Sequence, residues 1–124
     1  MRETRLWQLH LFSALALIVL LSLHMGVQHY EKILTGLGLV GENVRDFASV
    51  AGRAGSAWWN VLYVLLLGFA LYHGLYGTRR ILHEVWYSRR ATRVIDTLVV
   101  VFGLAVFIYG LWGILQATRM GGAL

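Results

Sequence analysis

Cysteine and proline are both absent from these 124 residues, and charged residues make up only 14% of them. Without cysteine the chain holds no disulfide, no iron–sulfur cluster and no thiolate-bound zinc. The Cys-x-x-Cys-His attachment of a c-type haem is excluded on the same ground, so a haem held here is non-covalent and bound through histidine. Charge is missing in blocks: segments 6–30, 54–78 and 97–118 contain no Asp, Glu, Lys or Arg. Each is longer than the roughly 20 residues a helix needs to cross about 30 Å of hydrocarbon. With 58% hydrophobic residues overall, the composition predicts an all-α integral membrane protein with three transmembrane helices, one membrane domain over residues 1–124.

Boundaries follow from where charge returns. Helix one is expected over about 6–28, helix two over about 56–85 and helix three over about 92–117. The basic start followed by an apolar run resembles a signal peptide, but the run is too long and no small-x-small cleavage site follows, so it reads as a retained helix. The connection over 31–55 is glycine-rich and is expected to carry a short amphipathic helix at 44–50, lying in the outer interface. The second connection, around 86–91, is short enough to make helices two and three antiparallel neighbours. On helix three, Gly103, Gly110 and Gly113 fall close to one face, where small residues let helix backbones approach in lipid. Trp58, Trp59, Trp86, Tyr87 and Trp112 fall near the boundaries, as interfacial anchors do.

The net charge of +5 is explained by its placement. Arg79, Arg80, Arg89, Arg90 and Arg93 crowd the second connection, and Arg2 and Arg5 precede the first helix, on the same side. On the other side Lys32, Arg45, Arg53 and Arg119 are mostly balanced by Glu31, Glu42 and Asp46. The positive-inside rule then places the N-terminus in the cytoplasm and the C-terminus outside. Lipid headgroups account for the arginines, and no nucleic-acid partner is expected.

Five histidines are the candidates for chemistry. His73 lies deepest, about 15 Å from the arginine-marked edge, where an ionisable residue is a functional-site hypothesis by default. Gly77, Arg80 and Glu84 follow it at spacings of four, three and four, on one helical stripe. Two readings stand. His73 ligates haem iron, with Gly77 leaving room for the macrocycle, or it hydrogen-bonds a neighbouring helix. Arg79 and Arg80 serve topology, and Arg80 is also placed to pair with a haem propionate or a quinone oxygen. Glu84 ends the stripe where a quinone headgroup meets cytoplasmic protons.

On helix one, Ser13, Leu17, His24 and Gln28 share a stripe that is too polar for a lipid-facing surface. His24 lies about 27 Å from the inner edge, an offset of about 12 Å from His73. Two axial ligands of one iron stand at nearly equal depth, so if both ligate there are two haems, each completed by a partner chain. His10 is a candidate propionate contact, His29 is expected to be solvated, and His83 is expected at the rim, near quinone.

The run His73-Gly-Leu-Tyr-Gly77-Thr-Arg79-Arg80-Ile-Leu-His83-Glu84 resembles helix two of the cytochrome b membrane-anchor subunits of succinate dehydrogenase and fumarate reductase. The arginine-rich loop, the third helix, and Phe12-Ser13 followed by His24 extend the resemblance along nearly the whole chain. The Ser-x-x-His-Arg-x-Thr-Gly opening of the other anchor type is absent, so the likeness is to the shorter, D-type anchor. Glu84-Val85 stands where the family usually has Asp-Tyr, which leaves Trp86 or Tyr87 to replace the quinone-bonding tyrosine.

The resemblance implies a subunit of respiratory complex II, in the tricarboxylic acid cycle, embedded in the inner (plasma) membrane. His73 would be an axial ligand of haem b, one or two haems being shared with a second membrane-anchor subunit. The iron–sulfur subunit and the flavoprotein subunit would dock at the cytoplasmic face, and quinone would bind between them and the anchors. Such a subunit passes electrons without a complete active site of its own. Two other readings compete: a haem-free anchor or assembly protein, and a small transporter subunit relaying protons through its histidines.

Overall fold

The computed structural model describes residues 2–39, 43 and 46–122. Among the described residues five helices follow one another: α1 over Arg2–His29, α2 over Glu31–Gly36, α3 over Phe47–Ala54, α4 over Ala57–Val85 and α5 over Arg89–Gly122. There is no strand among the described residues. Leucine and valine are the commonest residues of the three long helices, no proline interrupts them, and in lipid a helix satisfies every backbone group within its own segment. At 28, 29 and 34 residues, α1, α4 and α5 are about 42 to 51 Å long. All three are long and apolar enough to cross a membrane, and their charged ends extend past the hydrocarbon. The chain is a multi-pass membrane protein.

The turn between α4 and α5 takes only three residues. Trp86 leaves the helix in an extended conformation, and Ser88 Oγ accepts the Ala91 N–H at 3.2 Å, capping the next helix. α5 begins at Arg89, nearly a turn before the expected 92, and runs to Gly122, more than a turn beyond 117. On the α1–α4 side, α2 is a short addition that charge and glycine content did not signal. α3 starts and ends later than the expected 44–50; Val44 and Arg45 lie outside the described residues.

α4 is the middle of an open layer, flanked by α1 and α5, which do not pack on one another. It runs antiparallel to both. Residues 6, 13 and 24 of α1 meet 72, 73 and 63 of α4, and residues 96, 103 and 110 of α5 meet 79, 75 and 67. The α4–α5 approach depends on two of the three α5 glycines that fall close to one face. A Cβ at Gly103 would stand 2.6 Å from Leu75 Cδ1, and one at Gly110 would stand 2.5 Å from Leu67 Cδ2, whereas Gly113 faces open space.

At the far end α3 packs across α5, where a Cβ on Gly121 would collide with the Ala51 carbonyl and the Gly55 backbone. Asn60 Nδ2 donates to the Ala54 carbonyl and to Thr118 Oγ1, both at 2.9 Å, tying the end of α3 to both long helices. Among the described residues only Ser13, Ala51, Ala54 and Tyr76 are buried. A single layer of helices encloses no core, and no leucine, isoleucine or valine among the described residues is buried.

Gly110→Leu is expected to destabilise the α4–α5 pair by about 1–3 kcal/mol through overpacking against Leu67. Gly113→Leu should leave stability near that of the parent chain. Thermal unfolding of the two variants in detergent checks the contrast.

Candidate functional site

A polar seam runs along the α1–α4 interface. Ser13, fully buried, lies one helical turn after His10, so its hydroxyl reaches back and donates to the His10 carbonyl at 2.6 Å. The His73 ring of α4 enters the same space, its Nδ1 3.2 Å from Ser13 Oγ and 3.4 Å from the His10 carbonyl oxygen. The His10 imidazole stacks on that of His73, ring centroids 4.2 Å apart and planes within 7°. Two oxygens facing Nδ1 favour a proton on that nitrogen, which leaves the lone pair on Nε2. Nε2 has no hydrogen-bond partner among the described residues. An imidazole in that tautomer can bind a metal.

The seam continues toward the arginine-rich end. Tyr76 is buried, its ring 4.9 Å from that of His10 and 5.8 Å from that of Tyr72. The Tyr72 hydroxyl donates to the Leu6 carbonyl at 2.8 Å, while the Tyr76 hydroxyl and His10 Nδ1 are buried without a hydrogen-bond partner. One turn beyond Tyr76, Arg79 joins all three long helices. Its Nε donates to Asp96 Oδ1 of α5 at 2.7 Å, and its terminal nitrogens donate to the Glu3 carboxylate of α1 at 3.4 Å. His83 Nε2 also lies 2.8 Å from Asp96 Oδ1, an ion pair when His83 is protonated.

The His73, Gly77, Arg80, Glu84 stripe divides in three dimensions. A Cβ on Gly77 would meet His10 Cε1 at 3.7 Å, so the space beside this glycine holds the His10 ring. Gly74, adjacent to His73, has nothing within 4 Å of an added Cβ and marks an open surface. Arg80 and Glu84 are exposed and form no ion pair among the described residues, whereas Arg79 is drawn into the network. Trp86 and Tyr87 are exposed at the turn, and His83 is half-buried beside Asp96.

On α1 the polar stripe faces α4 at Ser13 and at His24, whose ring meets the edge of Tyr63 at 5.9 Å. His24 and Ser13 are eleven residues apart and Tyr63 and His73 ten, so the two histidine levels are separated by about 15 Å along the helices. His29 is exposed.

A large cavity lies elsewhere. A groove of about 570 Å³ runs between α1 and α5, floored by Tyr72, Leu75, Tyr76 and Arg79 of α4. A second stretch of about 350 Å³ continues it past Leu9, Phe69 and Phe107. Neither His73 nor His24 lines either part. The model of the succinate dehydrogenase/fumarate reductase transmembrane subunit family matches residues 2–114. The chain belongs to that family. No curated protein and no solved structure matches it.

In this transmembrane subunit, two features of the site were not signalled by the sequence. Asp96 stands at the edge of a charge-free run, where a single acid reads as a boundary marker, yet its carboxylate accepts from Arg79 and lies beside His83. Tyr72 and Tyr76 carry no spacing signal of their own within an aromatic-rich helix. The preference for Arg79 over Arg80 also required the fold: residues adjacent in a helix point about 100° apart, so only one of two successive arginines can face α5.

Asp96→Asn is expected to lower stability by about 1 kcal/mol, because it weakens a partly exposed network whose arginine also holds Glu3. Glu84→Gln, at an exposed and unpaired position, should leave it unchanged. Thermal unfolding midpoints in detergent distinguish the two.

Proposed function

We propose that the chain is the D-type membrane anchor of a succinate dehydrogenase, carrying one axial ligand of a b-type haem shared with a second anchor subunit. The observation that carries this reading is the state of His73. Its Nδ1 faces two oxygens at 3.2 and 3.4 Å, and its Nε2 has no hydrogen-bond partner among the described residues. That arrangement suits an axial imidazole, which commonly donates its second nitrogen to a carbonyl or another acceptor. Family membership supplies the context in which such a ligand is used.

A haem bound there supplies one-electron storage between the iron–sulfur subunit and quinone. This chain's own residues bind, orient and shield. His73 would hold the iron from one side, the second anchor supplying the other ligand. Arg79 and Arg80 would place positive charge near the propionates, Arg79 already fixed by Asp96 and Glu3. Gly77 would keep the helix surface beside the His10 and His73 rings free of a side chain.

Orientation follows the arginines, with the N-terminus in the cytoplasm of a cell whose inner (plasma) membrane holds the complex. The iron–sulfur and flavoprotein subunits would then dock at the arginine-rich end. Exposed Glu84, Trp86 and Tyr87, with His83 beside them, lie near the quinone entrance in this reading. His24 would ligate only a separate, second iron, since about 15 Å along the helices divides its level from that of His73.

The test is haem content in the purified complex. His73→Ala is expected to remove one b-type haem per complex while the subunits still assemble, read from reduced-minus-oxidised spectra and subunit stoichiometry. A His73→Ala complex with its full haem content would refute the assignment. Absorption that survives His73→Ala and disappears in the His24→Ala, His73→Ala double variant would place a second haem at His24.

A further inference from the structure

Ser13 is the only residue among those described with no exposed surface at all, and its hydroxyl lies within a membrane-spanning segment. A buried hydroxyl there is unfavourable unless both its donor and its acceptor capacity are used. The donor is accounted for by the 2.6 Å bond to the His10 carbonyl. If the hydroxyl hydrogen pointed instead at His73, that contact would set lone pair against lone pair. The hydrogen therefore stays on the carbonyl, and Oγ presents its lone pairs to His73 Nδ1 at 3.2 Å.

Many helical serines bond back to the preceding turn and do nothing more. Ser13 differs because the oxygen so oriented is the nearest acceptor to an imidazole on another helix. The parallel His10 ring at 4.2 Å closes one face of that imidazole, and the His10 carbonyl at 3.4 Å is its second acceptor.

We propose that Ser13 is a positioning residue for His73: its oxygen accepts the Nδ1 hydrogen, fixes the tautomer that frees Nε2, and strengthens Nε2 as a ligand. This inference rests on the proposed haem ligation by His73. An acceptor on the far nitrogen raises the basicity of a metal-bound imidazole. A more basic ligand stabilises ferric over ferrous iron and so lowers the reduction potential. Removing the oxygen leaves only the more distant carbonyl, and the potential rises.

The experiment is a redox titration of the haem in the intact complex carrying Ser13→Ala. The ferrous-to-ferric ratio at a fixed potential is expected to increase about threefold, equivalent to about 30 mV at 59 mV per decade for one electron. The low-spin ferric electron paramagnetic resonance signal should shift with it. Thr97→Ala removes another hydroxyl that bonds its own helix, at 2.9 Å to the Arg93 carbonyl but away from the seam, and should move neither signal.

If Ser13→Ala fails to retain haem, Ser13→Cys carries the comparison, because a thiol of similar size is a poor acceptor. A raised potential in Ser13→Cys supports the proposal, and a wild-type potential overturns it. A Ser13→Ala complex with wild-type potential and resonance signal likewise overturns it. The two failures are distinguishable: a wild-type complex without haem, or His73→Ala with all its haem, defeats the ligation itself. Haem lost in His73→Ala but unmoved by Ser13→Ala defeats only the role of Ser13.

Discussion

Hydrocarbon offers no hydrogen bonds, so a polar side chain within a membrane span must be matched across a helix interface or left at considerable cost. In this chain the matching is concentrated on α4. His73 finds Ser13 and the His10 carbonyl, and Tyr72 finds the Leu6 carbonyl, all on α1. These bonds set the register of α1 on α4, because a slip of one residue would rotate Ser13 by about 100° away from the imidazole. With Nδ1 facing these oxygens, His73 Nε2 has no hydrogen-bond partner among the described residues.

The membrane edge is organised by a different interaction. Arg79 reaches Asp96 on one side and Glu3 on the other, bridging two helices that do not otherwise touch. Partly exposed pairs of this kind contribute modest free energy. Their geometric consequence is larger, since they hold the ends of α1 and α5 on opposite sides of α4 with the groove between them. Toward the other end, Gly103 and Gly110 bring α5 against α4 through close packing alone. α1 is thus seated by polar contacts and α5 mainly by shape, in keeping with the two means by which helices associate in lipid.

A layer of three helices with four buried residues among those described cannot enclose a cofactor or a conduction path by itself. What it can do is present the His73 imidazole, an arginine-rich rim and long apolar faces to other subunits. Membership of the succinate dehydrogenase/fumarate reductase transmembrane subunit family agrees with such a part in a larger assembly.

The sequence by itself determined the spans, because charge-free runs of sufficient length leave the backbone in lipid no alternative to helix. It also determined that His73 is unusual, since depth is additive along a helix and is read by counting residues, and the same counting separated His24 from it. Only the tertiary structure decided which residues complete the site. Arg79 and not Arg80 enters the network, and the Asp96 carboxylate pairs with Arg79 and lies beside His83. Those outcomes depend on how α1 and α5 are rotated about α4. Rotation is set by contacts between residues as far apart as Ser13 and His73, and helical periodicity within one segment carries no information about it.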